Sequence, residues 1–168
     1  MKRFIIALAA VVLSIGAASA QKYIVVDSEK IFRSIAEYNS AISSLDAMAK
    51  DYQSKIDAAY AKVESMYNSY ISQKQNLSDA NRYAREQEIL AEERKVAEYQ
   101  ESVFGNDGLM MKKRIELIQP IQRKVFAAID NYAKSGGYDM VLDIAANASM
   151  LYHSESVDHT NKIIEQLK

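Results

Sequence analysis

Apolar or small side chains recur at Tyr38, Ile42, Leu45, Ala49, Tyr52, Ile56, Ala59, Val63, Met66, Tyr70 and then Leu77, mostly in alternating steps of four and three. A stripe with a repeat near 3.5 residues, uninterrupted by Gly or Pro, predicts one long helix of coiled-coil type over about 37–77. Such a rod would span roughly 60 Å. Asn76-Leu-Ser-Asp79 then reads as the tip of a helical hairpin near 76–79. Ser78 is a good N-cap, and Asp79 puts negative charge in the next helix's first turn. That second helix is expected from about Asp79 to Lys134. Its early stripe is thin: Tyr83, Leu90, Ala97 and Phe104, with Gln87 and Arg94 between them. It continues through Met111, Ile115, Ile118, Val125, Ile129 and Tyr132. A seam so sparse at 87–94 buries little and opens at modest cost. Gly105, Gly108 and Pro120 interrupt this helix and are read as hinge or kink points.

The flanks have a different period. Tyr23-Ile-Val-Val26 is a short β-rich run, followed by Asp27 and Ser28 as caps for a helix with Ile31, Phe32 and Ile35 on one face. Ser135-Gly-Gly137 ends the second arm helix. Tyr138, Met140 and Leu142 alternate with Asp139, Val141 and Asp143, as in a half-buried strand. Residues 145–148 read as a turn and Ser149-Met-Leu-Tyr152 as a third strand. Ser156 is expected to cap a last helix with Val157, Ile163, Ile164 and Leu167 on its apolar face. The fold class is α+β. Residues 21–36 and 114–168 make a small body, into which a long antiparallel coiled-coil hairpin, 37–113, is inserted. Three short strands cannot form a stable core alone, so self-association is the simplest way to cover their edges.

The first twenty residues have another purpose. Lys2 and Arg3 precede an apolar run from Phe4 to Ile15, and Ala18-Ser-Ala20 closes it with small residues. This is the pattern of a cleavable secretory signal, cut after Ala20. Of 21 Lys+Arg and 22 Asp+Glu, Lys2 and Arg3 leave with it, so 19 basic side chains face 22 acidic ones, a net charge of about −3. That balance argues against a nucleic-acid binder that depends on bulk positive charge. The chain has no Cys, which excludes disulfides, thiolate metal ligands and thiol nucleophiles. Its two histidines, His153 and His159, are too few for a histidine cluster, and no Gly-rich phosphate loop or nucleophile elbow occurs. No enzyme activity, metal or cofactor is expected.

The ordered combination of features resembles the Skp/OmpH family of periplasmic chaperones. The features are a signal peptide, Tyr-Ile-Val-Val-Asp-Ser-Glu-Lys-Ile-Phe (23–32), a long charged hairpin, Pro-Ile-Gln-Arg-Lys-Val-Phe-Ala-Ala-Ile (120–129), Gly-Tyr-Asp-Met-Val-Leu-Asp (137–143), Leu151-Tyr152 and a terminal amphipathic helix. The resemblance covers essentially the whole chain after the signal. It implies a homotrimer with a barrel-like strand core and three helical arms around a cavity. It also implies ATP-independent holding of unfolded outer-membrane proteins in the periplasm. Carried over, Ile24, Val25, Val26, Met140, Val141, Leu142, Met150 and Leu151 would build the trimer body. Two departures stand out. Residues 37–113 hold 10 Lys+Arg against 13 Asp+Glu, where studied relatives have basic arms. Ala36 stands where many relatives carry Pro, which predicts a smoother passage into the arm.

Tyr60, Met66, Tyr67, Tyr70 and Tyr83 are candidate client-binding residues, because Tyr and Met offer adaptable apolar contact. Tyr70 and Met66 lie on the stripe, where packing in the seam or core is the favoured reading. Lys74, Arg82 and Arg85 make the tip locally positive, suited to steering acidic segments or to weak contact with a membrane surface. Asp139, Asp143 and Asp158 read as strand-flanking and first-turn acids rather than catalytic ones. The rival reading is a structural or adaptor coiled-coil protein of the envelope that binds one specific folded partner.

Overall fold

In the computed structural model, which describes residues 22–145 and 150–168, the stripe from Tyr38 to Tyr70 is the inner face of a single helix. The chain runs β1 (Tyr23–Val26), α1 (Ser28–Arg33), α2 (Ala36–Gln73), a short 3-10 turn (Lys74–Asn76), α3 (Asp79–Phe104), α4 (Leu109–Gly136), β2 (Met140–Asp143), a second 3-10 turn (Glu155–Val157) and α5 (Thr160–Leu167). It is mostly helical, with a long helical hairpin and one pair of strands. It divides into two units, residues 22–34 with 125–168, and residues 35–124.

In the first unit, β1 and β2 pair in parallel, with Tyr23 opposite Met140 and Val26 opposite Asp143. Parallel strands need a long crossover, and here everything from α1 to α4 supplies it. Ile24, Val25 and Val26 are all buried, so β1 is covered on both faces, which explains an unbroken apolar run instead of alternation. Asp27 caps α1 by accepting the Lys30 N–H. Asp143 receives the Ser28 hydroxyl at 2.6 Å and its N–H at 3.1 Å, tying the end of β2 to the start of α1. Asp139 accepts the Lys22 N–H at 2.9 Å. These two acids therefore do backbone work at the strand ends. Phe32 meets Phe126 edge-on, with ring centroids 6.3 Å apart.

Two expectations are corrected in this unit. Residues 150–152 form no strand, and Ser149 lies outside the described residues, as does most of the 145–148 turn; among the described residues the sheet has two strands. Ser156 does not start the last helix. It lies in a 3-10 turn, and Asp158 takes over, accepting both the Thr160 N–H (2.9 Å) and its hydroxyl (2.6 Å). An Asp beats Ser here because its carboxylate serves two donors at once. Residues 34 and 35 separate α1 from α2, which begins at Ala36. The Ser34 N–H donates to the Lys30 and Ile31 carbonyls and its hydroxyl to Ile31, which closes α1, and Ile35 is extended and buried.

In the second unit, α2 runs antiparallel to α3 and then to the first part of α4. Its 38 residues span about 57 Å. At one end Ala41 and Leu45 pack with Ile118, flanked by Tyr38, Ile42, Met110, Leu117 and Ile121. Farther along, Ile56, Val96 and Val103 are buried.

Two corrections apply here. The expected single helix over 79–134 is two helices, separated at residues 105–108. Gly105 leaves the helical region (ψ 170°). A Cβ on Gly108 would lie 2.5 Å from the Val103 carbonyl oxygen, so the turn closes only around a glycine. α4 then runs on through Pro120 without interruption. The early part of the stripe expected on the second arm is one residue out of register, while its later members Ile118, Val125, Ile129 and Tyr132 are buried or half-buried as expected. Tyr83, Leu90, Ala97, Phe104, Met111 and Ile115 are exposed, and the buried or half-buried row is Arg82, Ile89, Val96, Val103 and Met110. Large side chains drew the assignment to the wrong row. A long helix packed close to α2 takes the slimmer β-branched row inside.

Candidate functional site

The outer half of the hairpin is where the seam thins. From Ile56 and Val103 outward, the α3 side offers Val96, then Glu92, Ile89 and Arg82. A carboxylate in that row needs partners. Glu92 receives Lys62 at 2.6 Å across the hairpin and Lys95 at 3.3 Å along its own helix. The Lys62 ammonium, and after it Lys95, hold the Glu92 carboxyl below its usual range. Nearer the tip, Tyr70 is buried and its hydroxyl bonds the Glu86 carboxylate, which pushes the phenol's pKa up. Lys74 lies 5.3 Å from the centre of the Tyr70 ring and 3.8 Å from Glu86. The hairpin is thus held by polar clasps where apolar contacts run out.

The tip itself is built from caps. Ser78 is the N-cap of α3 and accepts the Asn81 N–H. Arg82 donates to the Leu77 carbonyl at 3.0 Å and pairs with Asp79 at 3.2 Å. Arg85 pairs with Glu88 at 2.8 Å. Each of the three tip cations proposed for steering, Lys74, Arg82 and Arg85, therefore has a carboxylate beside it. A neutralised tip attracts distant acidic segments weakly.

The candidate aromatic residues divide between two faces. Tyr60 (39 % exposed) and Tyr67 (52 % exposed) border an open groove of about 570 Å³ that also contains Val63 and Ile89. Tyr60 reaches across to Gln100 at 3.2 Å. Met66 is half-buried in a second groove on the other side, together with Tyr70 and Arg85. Tyr83 is exposed near the tip. Ile71 and Leu90 join Tyr67 at the far end of the first face, both about half exposed. Sequence reasoning missed them as surface residues. The available signal was the competing seven-residue row Ile89, Val96, Val103, which leaves Leu90 outside.

The body residues also divide. Ile24, Val25 and Val26 are interior to one chain. Val141, Leu142 and Met150 are half-buried, Met140 is half exposed, and Leu151 is 95 % exposed beside an exposed Tyr152. On its far edge β2 has no strand partner among the described residues. Among the described residues, β1's second edge is bridged at Asp158 alone, where Val25 accepts the His159 N–H at 3.0 Å. His159 is buried between Tyr132 and Tyr138, with Tyr132 Oη 2.8 Å from its Nδ1. Burial lowers the imidazole's pKa, and Lys162 adds to this. His153 lies elsewhere, half-buried beside Ser154. Among the described residues no group of three His, Asp or Glu side chains is placed to hold a metal, and no helix is long and apolar enough to cross a membrane.

The comparisons with known proteins bear on this arrangement of hairpin and strand pair. Comparison with curated proteins gives no match. Among solved structures, the fold is similar to that of a candidate outer membrane chaperone (OmpH-like) from Caulobacter crescentus CB15. The TM-score is 0.67 at 8 % identity, covering 90 % of this chain and 86 % of that one. At that identity the likeness concerns fold alone. The sequence itself matches the family described as outer membrane protein (OmpH-like) over residues 22–167, from the residue before β1 to the end of α5. A match of that extent, over a chain with this hairpin and this strand pair, places the protein in the OmpH-like family.

Proposed function

We propose that this protein is an ATP-independent holdase of the periplasm, exported by a signal peptide cleaved after Ala20, that keeps unfolded outer-membrane proteins from aggregating. It works as a homotrimer. The bodies join through their incomplete sheets into a barrel-like core, and the hairpins, residues 37–113, enclose a client. Membership of the OmpH-like family supports this reading. The observation that carries it is the outer half of the hairpin. Two helices there are clasped by Lys62–Glu92 and Tyr70–Glu86, while Tyr60, Tyr67, Ile71 and Leu90 remain at the surface.

The physical logic is one of many weak contacts. An unfolded chain exposes apolar groups at irregular spacing, so a rigid, fitted pocket would bind few segments well. Tyrosine offers a large apolar face with few rotors to immobilise. Several such faces on three arms act together, and confinement raises their effective concentration. Preference for the unfolded state follows, and a client leaves when its folding in the outer membrane offers a deeper minimum. No nucleotide or metal is required for these steps. Trimer formation is favoured by the edge of β2 that has no strand partner among the described residues and by the exposed Leu151 and Tyr152, since open edges and apolar patches need covering.

The test uses the mature protein, purified without its first twenty residues. A urea-unfolded outer-membrane β-barrel protein is diluted into buffer with and without it, and light scattering is followed. The reading expects suppression at one trimer per client and a trimeric mass by sedimentation. Unchanged scattering, or a monomer at working concentration, would refute it.

A further inference from the structure

The two faces of the outer hairpin carry different charge, and the difference is not visible in the total count. On the face containing Met66, the cations Lys62, Arg85 and Lys95 are all paired, with Glu92 and Glu88, at 2.6–3.3 Å. On the face containing Tyr60 and Tyr67, the groove is lined by three carboxylates, Asp57, Glu64 and Glu93, and by no Lys, Arg or His. Asp57 accepts only the neutral Gln53 amide, at 2.8 Å. Glu64 and Glu93 have no ion-pair or hydrogen-bond partner among the described residues. Toward the tip, Lys74 borders the same face, but it is engaged by Glu86 and the Tyr70 ring.

We propose that this groove selects unfolded client segments in which lysine or arginine stands next to apolar side chains. The inference rests on the holdase reading and gives it a client class. Each part of the groove supplies one part of the recognition. The carboxylates attract the cation. The exposed ring faces of Tyr60 and Tyr67 bind the same cation by its attraction to their π-electrons. Val63 and Ile89 form an apolar floor for the neighbouring side chain. A lysine or arginine stem is itself apolar and lies along such a floor while its charge meets the rim. An acidic segment meets three like charges with no cation among them in the groove and is rejected, so attraction and repulsion act together to discriminate. The tip cations are paired, whereas among the described residues the carboxylates Glu64 and Glu93 of the aromatic groove are not.

The test measures fluorescence anisotropy of unstructured labelled peptides with the mature, full-length protein. One peptide alternates Arg with Leu and Phe. The other two carry Ser or Glu in place of Arg. The proposal expects the cationic peptide to bind at least about tenfold more tightly than the acidic one at about 0.05 M salt, with the gap shrinking at about 0.3 M. It expects Glu64→Gln with Glu93→Gln to remove most of that gap. Glu37→Gln with Asp46→Asn removes the same net charge elsewhere on the arm and is expected to leave the gap in place. Equal binding of cationic and acidic peptides, or equal loss in both double variants, overturns the proposal. So does a change in sedimentation mass with the first pair, which would make this face a contact between copies. Light scattering on the unmodified protein separates the two levels. Suppression of aggregation without charge preference removes this inference alone, whereas no suppression removes the holdase reading and the inference with it.

Discussion

Lys62 Nζ lies 2.6 Å from Glu92 Oε1, joining α2 to α3 at the level where buried aliphatic side chains give way to polar ones. Glu92 is the more enclosed partner, its side chain 23 % exposed against 64 % for Lys62. It is a carboxylate standing where a coiled coil normally places an apolar residue. The clasp makes the outer hairpin's closure depend on charge. Glu92 is held below its usual value by Lys62 first and Lys95 second, so its contribution is present above the ordinary carboxylate range and is lost as pH falls through the folded value. Glu92→Gln is expected to speed amide exchange of residues 80–95 several-fold while leaving amides near Ile118 unchanged. Uniform exchange along α3 and α4 in both proteins would show that the clasp holds nothing.

The body has its own acid sensitivity. Burial, and secondarily Lys162, depress the pKa of His159 below 6.5, against the opposing pull of the Ser156 carbonyl and Asp158. The unfolded chain takes the proton first, so stability is full above pH 6.5 and drains as pH falls through the folded value. Asp158 acts in the same sense at lower pH. Burial raises its pKa, but the Thr160 hydroxyl and N–H outweigh that and bring it below 3.8. The protection factor of the Ile24–Val26 amides, their exchange rate set against that of an unstructured peptide at the same pH, is expected to fall between about pH 7 and about pH 5.5, where imidazoles rather than carboxylates titrate. His159→Phe is expected to flatten that dependence. An unchanged slope in the variant would remove His159 from the account.

Gly108 allows the turn between α3 and α4. A methyl group there meets the Val103 carbonyl oxygen at 2.5 Å and its carbon at 2.8 Å, both backbone atoms beside the buried Val103 side chain. Gly108→Ala is expected to cost about 1–3 kcal/mol in urea unfolding, as overpacking does. The exposed Asn106→Ala in the same turn is expected to change stability by less than about 0.5 kcal/mol. Equal effects would mean that the turn tolerates a side chain at 108.

The register of α3 is tested by a pair of truncations. Ile56→Ala empties a site 1 % exposed and is expected to cost about 2–5 kcal/mol. Leu90→Ala, on the row that faces water, is expected to stay within about 0.5 kcal/mol. A large loss at Leu90 would return the seam to the row through Tyr83 and Phe104.

What the residues revealed follows from how local each signal is. The α2 stripe was legible because ten apolar positions in strict steps of four and three admit only one face. Every one of them, from Tyr38 to Tyr70, is buried or half-buried. The Ser78 cap was legible because its hydrogen bond reaches only to Asn81. The α3 face was not, since two rows one residue apart both repeat every seven, and only packing against α2 chooses between them. The start of α5 was misjudged because Ser156 and Asp158 both suit a helix start, and the choice depends on β1 bridging to Asp158. In the candidate site, Tyr60 and Tyr67 were visible as positions just off the stripe. The pairing of the tip cations and the bare carboxylates at Glu64 and Glu93 depend on which side chains meet across the hairpin, which spacing does not encode.

The central claim, that the hairpin's outer half carries the unfolded client, is tested most directly by amide exchange of the mature protein alone and bound to an unfolded outer-membrane β-barrel protein. The account predicts slowed exchange within residues 55–95, with the strand amides at Ile24–Val26 and Val141–Leu142 unaltered. Protection confined to the strands and α5, or none anywhere in a complex verified by sedimentation, would contradict it.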